Sequence, residues 1–397
     1  MNNNELPPPT TPNYISSEQQ IVKHGRQISV KSKNKHNLQC GTQDTKEQNN
    51  LSSSQCIKRR LKWIDAVRGF VMFIVVFQHI RAFGLNLYSS DGHLPFVYLY
   101  FFLTTFFLVS GFLSGGMMRV ASITDLCQIV RNKFSLLIIP TCLFWLAYNL
   151  VATKNSSMGE WGFPGGYWFT YSLFLISFAI VLIAYICNKL RCRYMIEMLL
   201  AIGIGLQLLK ILCSSQIDSG IFLYLRTRQF CTYFLYFAIG LWMSMNKTLT
   251  FKVIENQNVR TILIGGTVVL LLARYSMTSL FSRIILEGLD FVLSIASTLT
   301  VFSIFYLTKA FWDSSSIVAK FLETIGRKSL DVYMLQYFFI PALPVTMSCY
   351  FKSANNSIIE LAIVGIITVL VVMVCLLASN LLRLSQPLGR LLFSKKD

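Results

Sequence analysis

The run from Trp63 to His79 holds three groups able to do acid–base and anion chemistry inside an otherwise apolar stretch: Asp65, Arg68 and His79. Ten residues separate Arg68 from His79. At about 100° per residue, eleven steps bring the two within roughly 20° of each other on a helix, about 16 Å apart along its axis. Asp65 stands three positions before Arg68, the spacing at which a carboxylate and a guanidinium pair on one helical face. Ionisable side chains in an apolar helix are costly, so they face a bundle interior and mark a site or a pathway. The chain has four histidines, and His24, His36 and His93 fall in a polar tail or a loop. A base working near neutral pH is therefore assigned to His79. The structural alternatives are an interfacial arginine that snorkels and a satisfied interior histidine.

The elements that position these groups must be membrane helices. Of 397 residues, 54% are hydrophobic and 14% charged, and the mean hydropathy is +0.53. Soluble domains carry roughly 25% charged residues, so this chain cannot cover an aqueous surface. Apolar runs of the length needed to cross ~30 Å of hydrocarbon recur at about 64–85, 95–115, 134–152, 167–187, 195–213, 229–246, 259–274, 289–310, 329–349 and 358–382. The expected fold is an all-α integral membrane protein with about ten transmembrane helices in one bundle, over residues 58–397. Residues 1–57, rich in Asn, Gln, Ser and Pro, are expected to be a disordered polar tail. They lack the apolar stretch of a cleavable signal peptide.

The net charge of +18 comes from 36 Lys and Arg against 18 Asp and Glu, and the cations sit in short segments between apolar runs. That is the pattern of cytoplasmic loops rather than of a nucleic-acid-binding stripe. Alternate loops carry Arg119, Arg131 and Lys133; Lys189, Arg191 and Arg193; Lys247 and Lys252; Lys320, Arg327 and Lys328; then Arg390, Lys395 and Lys396. The intervening loops carry fewer, which predicts both termini in the cytoplasm. Ten cysteines lie mostly within apolar runs and form no CxxC pair; they read as small buried hydrophobes, with no disulfide framework and no metal site.

Further segments stand out in order. Phe106-Phe107-Leu-Val-Ser110-Gly111-Phe112 reads by itself as a small-residue packing patch, and Arg131-Asn-Lys133 through Pro140 as a basic loop entering a span. Together with Arg68-X10-His79, with Gly166-Tyr-Trp168-Phe169, with Phe237-Ala-Ile-Gly240 and with Gly326-Arg-Lys-Ser329-Leu330-Asp-Val-Tyr333, they resemble the acyltransferase 3 superfamily of membrane O-acyltransferases, which includes fucose and O-antigen O-acetylases. The resemblance covers the chain from about Trp63 to the last span. In that family the last segment often leads to a histidine, where this chain has Gln336.

The resemblance implies transfer of an acyl group, usually acetyl, from acetyl-CoA to a hydroxyl of a cell-surface or lipid-linked glycan, in a multi-pass protein of the cell (inner, cytoplasmic) membrane. Acyl-CoA is then a co-substrate, and no cofactor is bound. Its phosphates call for Arg or Lys, which Arg131, Lys133 and Arg68 can supply. The acceptor hydroxyl requires a base, for which His79 serves with Arg68 and Asp65 in support; the same imidazole can alternatively carry the acyl group covalently. Ser110, Trp168, Ser329 and Tyr333 are the expected substrate and oxyanion contacts. The competing reading is a polytopic transporter or flippase of glycan precursors. That reading expects charged residues in several span centres, whereas the last run has only Glu360 near one end.

Overall fold

The structure is a computed structural model that describes residues 60–87, 99–151, 164–213, 225–276, 283–353 and 357–393. The expected tail, His93, Lys395 and Lys396 lie outside these residues. No strand occurs among the described residues, and seven helical segments are long and apolar enough to cross a membrane. The chain is thus an all-α, multi-pass membrane protein.

The first helix, α1 (Lys62–His79), runs directly into a π-helical turn, Ile80–Gly84. It is the central element: 67% of its apolar window is buried. Around it stand α2 (Phe102–Leu113), α3 (Ile123–Val151), α4 (Trp168–Lys189), α5 (Met195–Leu212), α6 (Thr227–Met245), α7 (Lys247–Glu255), α8 (Gln257–Ser276) and α9 (Arg283–Leu307). Then follow α10 (Lys309–Asp313), α11 (Ile317–Arg327), α12 (Ser329–Phe339), α13 (Val345–Ser353), α14 (Ser357–Leu384) and α15 (Gln386–Phe393).

Three expected spans take another form. The second is a helix of 12 residues, about 18 Å long. The third begins at Ile123, so Arg131 and Lys133 are helical instead of lying in a loop. Its start is a capping box: Ser122 N–H donates to the Asp125 carboxylate at 3.0 Å, and Asp125 N–H donates to Ser122 Oγ at 3.1 Å. With both donors satisfied there, the helix starts at Ile123 and runs on to Val151, with Pro140 inside it. The ninth is broken, because Pro341 and Pro344 remove two backbone donors between α12 and α13. The break lies against protein, with Leu343 N–H donating to the Gly84 carbonyl at 3.0 Å, which is where irregular backbone is tolerated at membrane depth.

Two pairs of glycines set the closest packing. A Cβ at Gly69 would run into the Leu322 carbonyl, and one at Gly326 into the Asp65 carbonyl. The backbones of α1 and α11 therefore touch, as small residues allow in membrane bundles. Gly111 and Gly240 do the same for α2 and α6, meeting the carbonyls of Phe237 and Leu108. The eight described cysteines are unpaired, but Cys127, Cys142 and Cys349 are exposed. Being apolar does not bury a residue in a membrane protein, whose outer face meets lipid.

Candidate functional site

The α1–α11 contact brings the end of α11 and the start of α12 against Arg68. Arg68 Nη2 donates to Ser329 Oγ at 2.7 Å, and its Nη1 stands 3.8 Å from Asp65 Oδ1. Asp65, 4% exposed, also accepts from Arg60 Nε at 2.5 Å and Nη2 at 3.1 Å. That hydrogen bond raises the pKa of Arg60 above its ordinary value. One carboxylate thus holds two guanidiniums at the start of α1.

These groups open on a cavity of about 310 Å³. Five cations line it: Arg60, Arg68, Lys133, Arg327 and Arg383. Asp331 is the carboxylate in the wall, and it is occupied, accepting from Arg383 Nη2 at 2.8 Å and from Ser379 Oγ at 2.6 Å. Positive charge is therefore in excess, which is the electrostatics of a polyanion site. Met72, Phe106, Phe169 and Tyr333 complete the apolar part of the wall.

His79 does not line the cavity. It sits further along α1, its ring 5.2 Å from that of Tyr337 and 5.5 Å from that of Phe83. The Gln336 side chain approaches the imidazole. Gln336 Nε2 donates to the Tyr333 carbonyl at 3.1 Å, while Gln336 Oε1 and His79 Nδ1 are buried without a hydrogen-bond partner. Helix α12 thus accompanies α1 from one group to the other, with Ser329 at Arg68 and Gln336 and Tyr337 at His79. Both tyrosine hydroxyls of α12 donate to the Gly166 carbonyl, Tyr333 at 2.8 Å and Tyr337 at 2.7 Å, which docks α12 on the turn ahead of α4.

Of the residues singled out in the sequence, Arg68, Lys133, Ser110, Ser329 and Tyr333 meet at the cavity, with Asp65 behind Arg68. Arg131 is exposed and outside it. Trp168 is also outside, stacked on Tyr233 with ring centroids 5.9 Å apart; its neighbour Phe169 faces the cavity instead. The hydroxyl hydrogens of Ser110 and Tyr333 go to the carbonyls of Phe106 and Gly166. Ser329 Oγ accepts from Arg68, and its own hydrogen is in no hydrogen bond among the described residues.

Sequence reasoning missed Arg81. It is completely buried in the π-helical turn, two residues past His79, and donates to Glu360 of α14 at 2.7 Å. An arginine inside an apolar run was the available signal, and π-turns within helices are frequent at functional sites. Arg60 and Arg383 were missed as well, because each flanks a span and reads as an anchor.

No curated protein and no solved structure matches this chain. A family model described as an acyltransferase domain matches residues 61–377. That stretch runs from the start of α1 into α14 and contains His79 and every cavity residue except Arg60, Arg383 and Phe393. With the Arg68–His79 helix and most of the cavity wall inside the matched region, the chain belongs to the acyltransferase 3 family.

Proposed function

We propose that this acyltransferase moves an acyl group, acetyl in the simplest case, from acyl-CoA to a hydroxyl of a glycan or glycolipid in a cell membrane. The observation that carries the reading is the gathering of five cations around one cavity at the Arg68 end of α1. Coenzyme A presents several phosphates, and guanidiniums grip phosphate bidentately. A long pantetheine arm separates those phosphates from the thioester. It suits a base set about 16 Å further along the same helix.

In the reaction the acceptor oxygen attacks the thioester carbonyl carbon. A C–O bond forms as the hydroxyl proton passes to His79; the C–S bond then breaks, and the imidazolium returns the proton to the departing thiolate. Ser110 and Ser329, at the cation end, suit the donor's phosphates. Tyr333, nearer to His79, is the group of the set left for the oxyanion, once its hydroxyl turns from Gly166.

The test is acyl transfer in membrane vesicles with radiolabelled acetyl-CoA, comparing wild type and His79→Ala. Label in glycan with wild type alone is the expected outcome, with equal membrane insertion of both proteins. Full activity of His79→Ala refutes the role of His79. Label in neither protein, with acetyl- and succinyl-CoA alike, refutes the donor and favours the flippase reading.

A further inference from the structure

Helix α8 is the most peripheral of the long helices. Only 6% of its apolar window is buried, and Ile262 and Val269 project outward, 73% and 64% exposed. In a membrane protein such a face meets hydrocarbon. Beneath it, α6, α7, α8 and α9 enclose a cleft of about 230 Å³. Trp242 and Met243 of α6, Val253 and Ile254 of α7, Leu263 of α8 and Leu299 of α9 make its wall. The cleft is almost wholly apolar, and it is too small for a helix about 10 Å across. An alkyl chain fits both its size and its chemistry.

Arg260 stands in the wall as well, in the first turn of α8 and half-buried. A residue at that position in a spanning helix lies at headgroup depth. Its guanidinium makes no ion pair or hydrogen bond among the described residues. Glu255, the carboxylate of α7, is engaged elsewhere: it accepts the Tyr306 hydroxyl at 2.6 Å and faces Lys309 at 3.9 Å. A cation without a carboxylate partner among the described residues thus stands in the wall of an alkyl-sized cleft.

We propose that this cleft holds one acyl chain of an anionic glycerophospholipid of the adjoining leaflet, whose phosphate is bound by Arg260. The site is separate from the cation-lined cavity, sharing none of its wall residues, and the proposal does not depend on the acyl-transfer reading.

Trp242 is the reporter. The full chain is placed in nanodiscs in which a minority of the lipid carries brominated acyl chains, either phosphatidylglycerol or phosphatidylcholine. The Trp242 contribution is the difference in fluorescence quenching between wild type and Trp242→Phe. Expected is Trp242 quenching at about fivefold lower mole fraction of the anionic than of the zwitterionic lipid, the weight of one basic residue at an anionic surface. Arg260→Gln should remove that preference, and Arg260→Lys should keep most of it. Equal quenching by the two lipids overturns the headgroup assignment. Absence of Trp242-dependent quenching by either overturns the lipid site itself.

Discussion

Arg68 makes one contact along its own helix and one across to another, and the two come from different kinds of information. The pairing with Asp65 is local, three residues apart, and could be read from spacing. The bond to Ser329 joins residues 261 apart and depends on how α1 and α11 pack. The same division explains which other residues were legible. Lys133 announced itself as a cation beside an apolar run. Arg81 and Glu360, 279 residues apart, and Asp331 and Arg383, 52 apart, did not, because a buried charge shows its purpose only beside its partner. Lys133 and Arg327 have no carboxylate partner among the described residues, so Lys133→Met and Arg327→Met should each raise the acyl-CoA KM about tenfold and leave kcat nearly unchanged, the mark of lost uniform binding of a phosphate. Steady-state kinetics over a range of donor concentration checks it; an effect on kcat alone would place these cations at the reacting end. Glu360→Ala removes the carboxylate that faces the fully buried Arg81 guanidinium at 2.7 Å. It should cost about 3–5 kcal/mol of stability, measured by unfolding in detergent, and a loss no larger than that of a surface substitution would show the pair to be dispensable.

The elements turn on backbone contacts that side-chain patterns do not reveal. Gly111 and Gly240 were visible as motif residues and Gly111 as part of a small-residue patch, yet only the fold shows that each seats against a carbonyl of the other's helix. Gly69 and Gly326 are the equivalent pair for α1 and α11, and on them depends the bond from Arg68 to Ser329. At Gly326 the obstructing atoms are backbone atoms of Asp65 and Gly69, which no rotamer change can move. Gly326→Ala should therefore destabilise the protein by about 1–3 kcal/mol and raise the donor KM as Ser329 moves off Arg68. Gly205→Ala on α5, where nothing lies within 4 Å, is the matched control and should change neither. Equal behaviour of the two variants in thermal unfolding would mean that α1 and α11 can separate at no cost. The spans were legible where apolar runs are long. They were misread where the breaker was a proline pair inside an apolar run, at Pro341 and Pro344, or where a capping box started α3 early, at Ser122.

At the scale of the molecule the question is which ends of the helices share a side. Seven helices meet the length and hydropathy a crossing needs. If α2, α6 and the broken run α12–α13 each cross once as well, the crossings number ten, and an even number sets Arg60 and Arg383 on one side. Arg60 ahead of α1, Lys133 in α3, Arg327 at the end of α11 and Arg383 at the end of α14 all reach the cavity. Four separate segments can meet there only if they approach the same end of the bundle, which is the grouping that loop charge predicts for Lys133 and Arg327. The broken run is the decisive element. If it crosses once, Cys192, exposed between α4 and α5, and Lys352, at the end of α13, lie on opposite sides. If it dips in and returns, or if α12 and α13 each cross, Lys352 falls on the side of Cys192. Single-cysteine variants at these two positions, treated with a membrane-impermeant maleimide in sealed vesicles of one orientation, separate the cases. One position should label before the vesicles are opened and the other only afterwards; labelling of both together would make the crossings odd in number and set the last span, with Arg383, in the reverse sense to the cavity it lines.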